Sequence, residues 1–257
     1  MTSDEPRRFH ALVVDDEPSL VRAVAGYLER DGFVVTSAAS GEEALAIARR
    51  DAPDVVVLDL GLPGIDGLEV CRALRTFSDA YVVMLTARAD EVDTLVGLSV
   101  GADDYVTKPF SPRELIARIR TMLRRPRMAF PAVPPAAPVA TPPVTVPAAP
   151  APVAPATDVR RFGALTIDPA AREVTVGDRA VHLTRTEFDV LDVLSGQPRQ
   201  AFSRRQLVER VWDSQWTGDE HLVDIHVGNL RRKLGDDPQA ARYVLTVRGV
   251  GYRMGPG

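Results

Sequence analysis

Apolar positions divide the chain by their rhythm. In the first half, short apolar runs alternate with segments in which apolar residues recur every three or four positions. The runs at 11–14, 33–37, 55–58, 81–85 and 105–106 predict strands, and continuous apolar character marks strands buried on both faces. The segments 19–30, 41–50, 67–75, 90–100 and 112–124 predict helices, the last through Leu115, Ile116, Ile119 and Leu123. Five such repeats predict an α/β, doubly wound, five-stranded parallel sheet with helices on both faces. In such a sheet the functional crevice lies beyond the carboxyl ends of the strands.

The rhythm stops at residues 126–158, which are almost entirely Pro, Ala, Val and Thr with eleven prolines. Proline removes backbone donors, so this segment predicts a semi-rigid polyproline tether. Fully extended at roughly 3.1 Å per residue, it would reach on the order of 100 Å. Three parts follow: a domain at 8–125, the linker at 126–158 and a second domain at 159–257. The second predicts short strands at 162–167, 173–176 and 180–182, helices at 185–194, 204–211 and 220–234, and a terminal hairpin at 243–247 and 251–254. Thr184 with Glu187 three positions on, and Ser203, are candidate helix caps. This is the pattern of a small α+β domain.

Composition sharpens the division. The net charge of the 257 residues is −4, but it is unevenly spread. Residues 1–125 carry 15 basic and 21 acidic side chains, whereas 159–257 carry 15 and 13. An acidic and a basic function are therefore expected on different halves. Only two lysines, Lys108 and Lys233, stand among 29 arginines. The one cysteine, Cys71, excludes an internal disulfide and fits a reducing compartment. No apolar run is long enough to span a bilayer, and residues 1–10 lack the apolar core of a signal peptide. A cytoplasmic location without membrane attachment is expected.

Three predicted strand ends carry chemically loaded residues. Strand one ends in Asp15, Asp16 and Glu17, strand three in Asp59 and strand four in Thr86, and strand five is followed by Lys108. A parallel sheet brings these ends to one edge. Two carboxylates about 4 Å apart repel by about 4 kcal/mol at an effective dielectric of about 20, so the cluster demands a shared proton or a cation. Three carboxylates, one lysine and one divalent ion sum to zero charge. Hard oxygen ligands suit Mg²⁺. A pocket neutralised in this way can receive a phosphoryl group under attack by a carboxylate. A single acidic residue at a strand end is ordinarily a solvated loop charge; the whole set in this order is not.

Residues 10–125 resemble the receiver domain of response regulators, a flavodoxin-like fold. The resemblance rests on Leu-Val-Val-Asp-Asp-Glu-Pro at 12–18, Val-Val-Leu-Asp-Leu-Gly-Leu-Pro-Gly-Ile-Asp-Gly at 56–67, Leu-Thr-Ala-Arg at 85–88 and Gly-Ala-Asp-Asp-Tyr-Val-Thr-Lys-Pro-Phe at 101–110. It implies that Asp59 is the phosphoacceptor for a sensor histidine kinase. It further implies that Asp16, Asp59 and the Gly61 carbonyl ligate Mg²⁺, with Asp15 acting through water. Thr86 and Lys108 would bind phosphoryl oxygens, and Tyr105 would be the switch aromatic.

In the second half, the segment 220–234 combines an apolar stripe with His221, Asp224, His226, Asn229, Arg231, Arg232 and Lys233, as a major-groove helix requires. Arg248 sits at a glycine turn suited to a minor groove or phosphate. Residues 160–254 resemble the winged helix-turn-helix output domain of the OmpR/PhoB family. The carrying stretches are 183–191, 203–212, Val-Asp-Ile-His-Val-Gly-Asn-Leu-Arg-Arg-Lys-Leu at 223–234 and Thr-Val-Arg-Gly-Val-Gly-Tyr-Arg at 246–253. The implied DNA-binding set is His221, Leu222, Asp224, His226, Asn229, Arg231, Arg232, Thr246 and Arg248. His226 and Arg231 would touch phosphates and Arg248 would enter the minor groove. The loop 213–219 is a candidate surface for RNA polymerase. Gly228 and Asn229 replace a basic pair common in the family. Asn suits an adenine edge, so promoter DNA with A·T-containing tandem half-sites is expected.

The resemblance also implies a homodimer on phosphorylation, through Leu95, Leu98, Asp104, Ala117 and Arg118. Thr94 and Ser99 stand where charged partners of Glu114 and Arg120 are usual, so a weaker dimer is expected. The expected function is that of a phosphorylation-dependent transcriptional regulator rather than an enzyme. Two alternatives differ in class. A phosphorylation-independent DNA-binding regulator would not need the acidic set, Thr86 and Lys108. An aspartyl-phosphate phosphohydrolase would need a general acid two residues after Asp59, where Gly61 stands.

Overall fold

The structure, a computed structural model, describes residues 8–87, 100–124, 158–212, 216, 220–237 and 240–257. Elements are numbered in order among these residues. The first half contains β1 (His10–Val14), α1 (Pro18–Arg30), β2 (Val34–Ala38), α2 (Gly41–Asp51), β3 (Val55–Asp59), α3 (Gly67–Leu74), β4 (Tyr81–Ala87), β5 (Asp104–Lys108) and α4 (Pro112–Leu123). The strands form one sheet in the order β2-β1-β3-β4-β5, and every pairing is parallel. The predicted helix at 90–100 lies outside the described residues.

Successive side chains of a strand point to opposite faces, and here both faces are buried. Leu12, Val14, Val56, Leu58, Val82 and Met84 meet Ala44, Ile47, Val70, Cys71 and Leu74 of α2 and α3. Ala11, Val13, Val55, Val57, Val83 and Leu85 meet Val24 and Leu28 of α1 and Leu115, Ile119 and Met122 of α4. The helices begin where the chain supplies local partners: Ser40 and Asp66 accept hydrogen bonds from the amides of Glu43 and Glu69. Pro18 and Pro112 open α1 and α4, where a missing N–H costs nothing.

The second half opens with an antiparallel sheet of β6 (Arg160–Phe162), β7 (Leu165–Asp168), β8 (Glu173–Val176) and β9 (Arg179–Ala180). The single strand expected at 162–167 is in fact two. The chain turns at Gly163, which has φ of +56°, and a Cβ there would lie 2.9 Å from the backbone of Gly257. Three helices follow, α5 (Arg185–Gly196), α6 (Arg204–Val211) and α7 (Leu222–Leu234). Full capping boxes, Thr184 with Glu187 and Ser203 with Gln206, start α5 and α6.

The terminal hairpin, β11 (Val244–Val247) and β12 (Gly251–Met254), is joined by the short β10 (Phe202–Ser203). Two residues carry no readable alternation, which is why β10 escaped sequence reasoning. A Cβ at Gly251 would stand 2.1 Å from the Phe202 carbonyl oxygen, so only glycine lets β12 approach β10. Phe188, Leu191, Trp212, Val223, Val227, Leu230, Tyr243 and Met254 fill the core beneath the helices.

The two halves touch. The apolar cluster beneath α2 and α3 runs on into that of the second half. Polar groups pin the seam. Arg185 of α5 donates to Asp79 at 2.9 Å, with its guanidinium 4.7 Å from the centre of the Tyr81 ring. The Thr186 hydroxyl donates to Asp103 at 2.8 Å. Asp103 also accepts from Arg75 at 2.6 Å and from the Val82 amide at 2.9 Å.

Candidate functional site

The carboxyl edge of the parallel sheet gathers the expected pocket. Asp15 follows β1, and Asp59 ends β3. Carboxylate oxygens of Asp15, Asp16 and Asp59 lie within 4.8 Å of one another. Asp15 and Asp59 are buried and Asp16 is exposed. The loops hold them in place: the Glu17 amide donates to Asp15 at 2.8 Å and the Gly61 amide to Asp59 at 2.9 Å. Gly67 lets α3 begin against the strand end, since a Cβ there would stand 2.3 Å from the Asp59 carbonyl oxygen.

Lys108, the last residue of β5, enters between the two buried carboxylates. Its ammonium lies 2.8 Å from Asp15 and 2.6 Å from Asp59. Burial works against the charge, but the hydrogen bonds and attraction of Asp15 and Asp59 outweigh it and hold the lysine above its ordinary value. The Thr86 hydroxyl is buried near the end of β4 and has no hydrogen-bond partner among the described residues. A buried hydroxyl in that condition is costly and suits a ligand that supplies oxygen acceptors. An all-oxygen acidic donor set is the chemistry a hard divalent cation takes. These residues therefore fit a receiver-type Mg²⁺ site.

The expected DNA-binding residues divide by exposure. His221, Arg232, Thr246 and Arg248 are exposed, and Asp224 is partly so. Leu222, His226, Asn229 and Arg231 are buried. Leu222 belongs to the core beneath α7. The Arg231 guanidinium turns inward, donating to the Val244 carbonyl at 2.7 Å and to the Thr246 hydroxyl at 2.7 Å. It thereby ties α7 to β11. Asp224 accepts from Arg204 at 2.8 Å and from Tyr252 at 2.6 Å, and these bonds, against the effect of burial, hold its carboxyl below the usual range. His226 faces the first half, with its Nε2 3.2 Å from the Asp103 carbonyl oxygen.

The seam also covers residues expected at a dimer surface. Asp104 and Arg118 pair at 3.2 Å within the chain. Trp216 of the second half adds its indole N–H to Asp104 at 3.4 Å and stacks 5.1 Å beneath the Arg118 guanidinium. Glu114 and Arg120, expected to lack partners across a dimer, bind Arg118 and Asp31 of the same chain. Tyr105 is partly buried against the apolar cluster shared by the two halves. Leu95 and Leu98, with Thr94 and Ser99, lie outside the described residues, as does the loop 213–219 apart from Trp216. The seam contacts of Asp79, Arg185 and Thr186 were missed by sequence reasoning. Isolated polar residues carry no periodic signal, and the start of a helix ordinarily reads as solvated.

No helix among the described residues is long and apolar enough to cross a membrane. Residues 11–120 match the family model described as response regulator receiver domain, and residues 178–254 that described as transcriptional regulatory protein, C terminal. The chain is 43% identical over 249 residues to the DNA-binding response regulator MtrA of Mycolicibacterium smegmatis, covering 97% of this chain and 98% of that one. It is 42% identical over 245 residues to the transcriptional regulatory protein AfsQ1 of Streptomyces coelicolor, covering 95% and 97%. A solved structure of a RitR mutant superposes with a TM-score of 0.72 at 25% identity, covering 97% of this chain and all of that one. With an acidic pocket on a receiver fold and a winged helix after it, the chain belongs to the OmpR/PhoB family of DNA-binding response regulators in two-component systems, regulators rather than conventional enzymes.

Proposed function

We propose that Asp59 accepts a phosphoryl group from a sensor histidine kinase and that this modification governs binding of the second half to promoter DNA. The observation that carries the reading is the Lys108 ammonium held between Asp15 and Asp59, beside a buried Thr86 hydroxyl that lacks a partner among the described residues. An Asp59 carboxylate oxygen bonds to phosphorus as the phosphorus–nitrogen bond of the donor histidine breaks, and the departing imidazole takes up a proton. Lys108 and Thr86 offer donors to the phosphoryl oxygens. A Mg²⁺ ion held by Asp15, Asp16, Asp59 and the Gly61 carbonyl would neutralise the charge gathered there.

In this reading Tyr105 responds to movement of Thr86. Phosphorylated receivers pair through the surface containing Leu95, Leu98, Asp104, Ala117 and Arg118, and the long linker at 126–158 lets two symmetric receivers serve head-to-tail output domains. Pairing raises occupancy of tandem half-sites through effective concentration. The site of action is the cytoplasm, and the loop 213–219 offers a surface to RNA polymerase. In binding assays, a small acyl-phosphate donor with magnesium is expected to tighten binding of the wild-type chain to paired half-sites. Asp59→Asn should show no such gain, and equal gains in both would refute the reading.

Base recognition in this proposal rests on α7 and the wing. His221, Leu222, Asp224, His226, Asn229, Arg231, Arg232, Thr246 and Arg248 form the candidate contact set, with Asn229 reading an adenine edge. Asn229→Ala is expected to relax adenine preference at one position per half-site by about 1–3 kcal/mol. Selection of bound sequences from a random pool measures this, and an unchanged preference rejects the assignment.

A further inference from the structure

His226 is fully buried at the seam between the halves. Its Nε2 meets the Asp103 carbonyl oxygen at 3.2 Å, which an imidazole can only donate to. Its Nδ1 is buried and has no hydrogen-bond partner among the described residues. The ring lies against Trp212, with centroids 5.4 Å apart. A neutral imidazole protonated on Nε2 suits this place. A second proton, on Nδ1, would put a donor and a full charge where no acceptor waits.

We propose that His226 is a proton-operated latch: the neutral ring holds the output domain against the receiver, and its protonation releases the recognition helix.

Charged groups face the ring from both halves. From the receiver, the Asp103 carboxylate faces the ring, itself held by Arg75, Thr186 and the Val82 amide. From α5, Glu187 faces it, bound to Lys233 at 2.6 Å. Lys233 faces it from α7 itself. Burial is the largest influence and pushes the imidazole below its ordinary value; Asp103 and Glu187 pull the other way, and Lys233 adds to the push. Asp79 and Arg185 neutralise one another further along the seam.

The sign follows. Once open, the ring returns to an ordinary imidazole, near about 6.5. Closure is therefore complete above that range and weakens as pH falls through it. The open-to-closed ratio grows by up to about tenfold per pH unit until the lowered value of the closed form is reached. Asp104 acts in the opposite sense: burial, despite Arg118 beside it, holds its carboxyl above the usual range, so acid favours the closed form at that residue. Comparison with a His226 variant separates the two.

The test uses the full unphosphorylated chain, so its outcome is independent of Asp59 chemistry. Small-angle scattering between about pH 7.5 and about pH 5.5, where an imidazole changes charge, reports opening as a larger radius of gyration. The wild type is expected to expand on acidification. His226→Gln, which keeps a donor toward Asp103 but does not titrate, is expected to keep one radius throughout. An unchanged wild-type radius, or the same expansion in both chains, overturns the proposal. Titration of the four histidines by magnetic resonance in the wild type decides the matter even where the variant folds poorly. His226 should titrate below the ordinary imidazole value, and titration at or above that value overturns the latch.

Discussion

Lys108→Ala is expected to slow phosphorylation of Asp59 by a small acyl phosphate by about 100-fold to 1000-fold, the usual cost of removing one preorganised charge-stabilising donor. The ammonium bridges Asp15 and Asp59 at 2.8 and 2.6 Å. Removing it leaves two buried carboxylates facing each other, which disfavours the arrival of a further anionic group. It also removes a donor placed where the phosphoryl oxygens must sit. Lys108→Arg should recover little, because the planar guanidinium is bulkier than an ammonium and is shaped to bind one carboxylate through two parallel hydrogen bonds. Intact mass after incubation with the donor and magnesium gives the rate of modification, and Asp59→Asn provides the zero. A Lys108→Ala rate within a few-fold of wild type would remove lysine from the account of the pocket.

Arg185→Ala should have the largest effect on the relation between the halves. Arg185 is nearly inaccessible, bonds Asp79 and lies over the Tyr81 ring. Truncating one partner of a buried pair costs about 3–5 kcal/mol, here charged against the closed arrangement alone, since Asp79 and Tyr81 belong to the receiver. A shift of about 2.7 kcal/mol is about 100-fold in an equilibrium. The variant is expected to open without phosphorylation, with a larger radius of gyration and tighter binding to a single half-site. Its thermal transition should persist, because among the described residues the Arg185 side chain bonds to the receiver and not to the second half. A variant that stays as compact as wild type and binds DNA no better would show that the pair does not hold the halves together.

Much of the molecule was legible in the sequence because its rules are periodic. The alternation of Val55–Asp59 and Tyr81–Ala87 with helical segments marks strands covered on both sides, and parallel strands deliver their ends to one edge. The approach of Asp15, Asp59 and Lys108 follows from that topology, though they are far apart in the chain. The caps at Thr184 and Ser203 were readable because their partners stand three residues away. Arg231 shows what is lost beyond that range. Its charge on α7 suggests an outward side chain, but in this arrangement the guanidinium turns inward to a carbonyl of β11, thirteen residues on. His226 and Asn229 were hidden for a different reason. His226 packs against the Asp103 carbonyl of the other half, a contact that no local pattern encodes, and nothing in the spacing of α7 marks Asn229 as buried.

Strand β5 joins the two chemistries described above. It begins at Asp104, beneath Trp216, and ends at Lys108, between the pocket carboxylates. At about 3.3 Å per residue these ends stand roughly 13 Å apart. The strand lies at the margin of the sheet and is laddered to β4 alone among the described residues. A one-sided ladder resists sliding less than one gripped from both flanks. The molecule has thus placed its anion receptor and its fastening for the DNA reader on opposite tips of a single short rod, gripped along one flank only among the described residues.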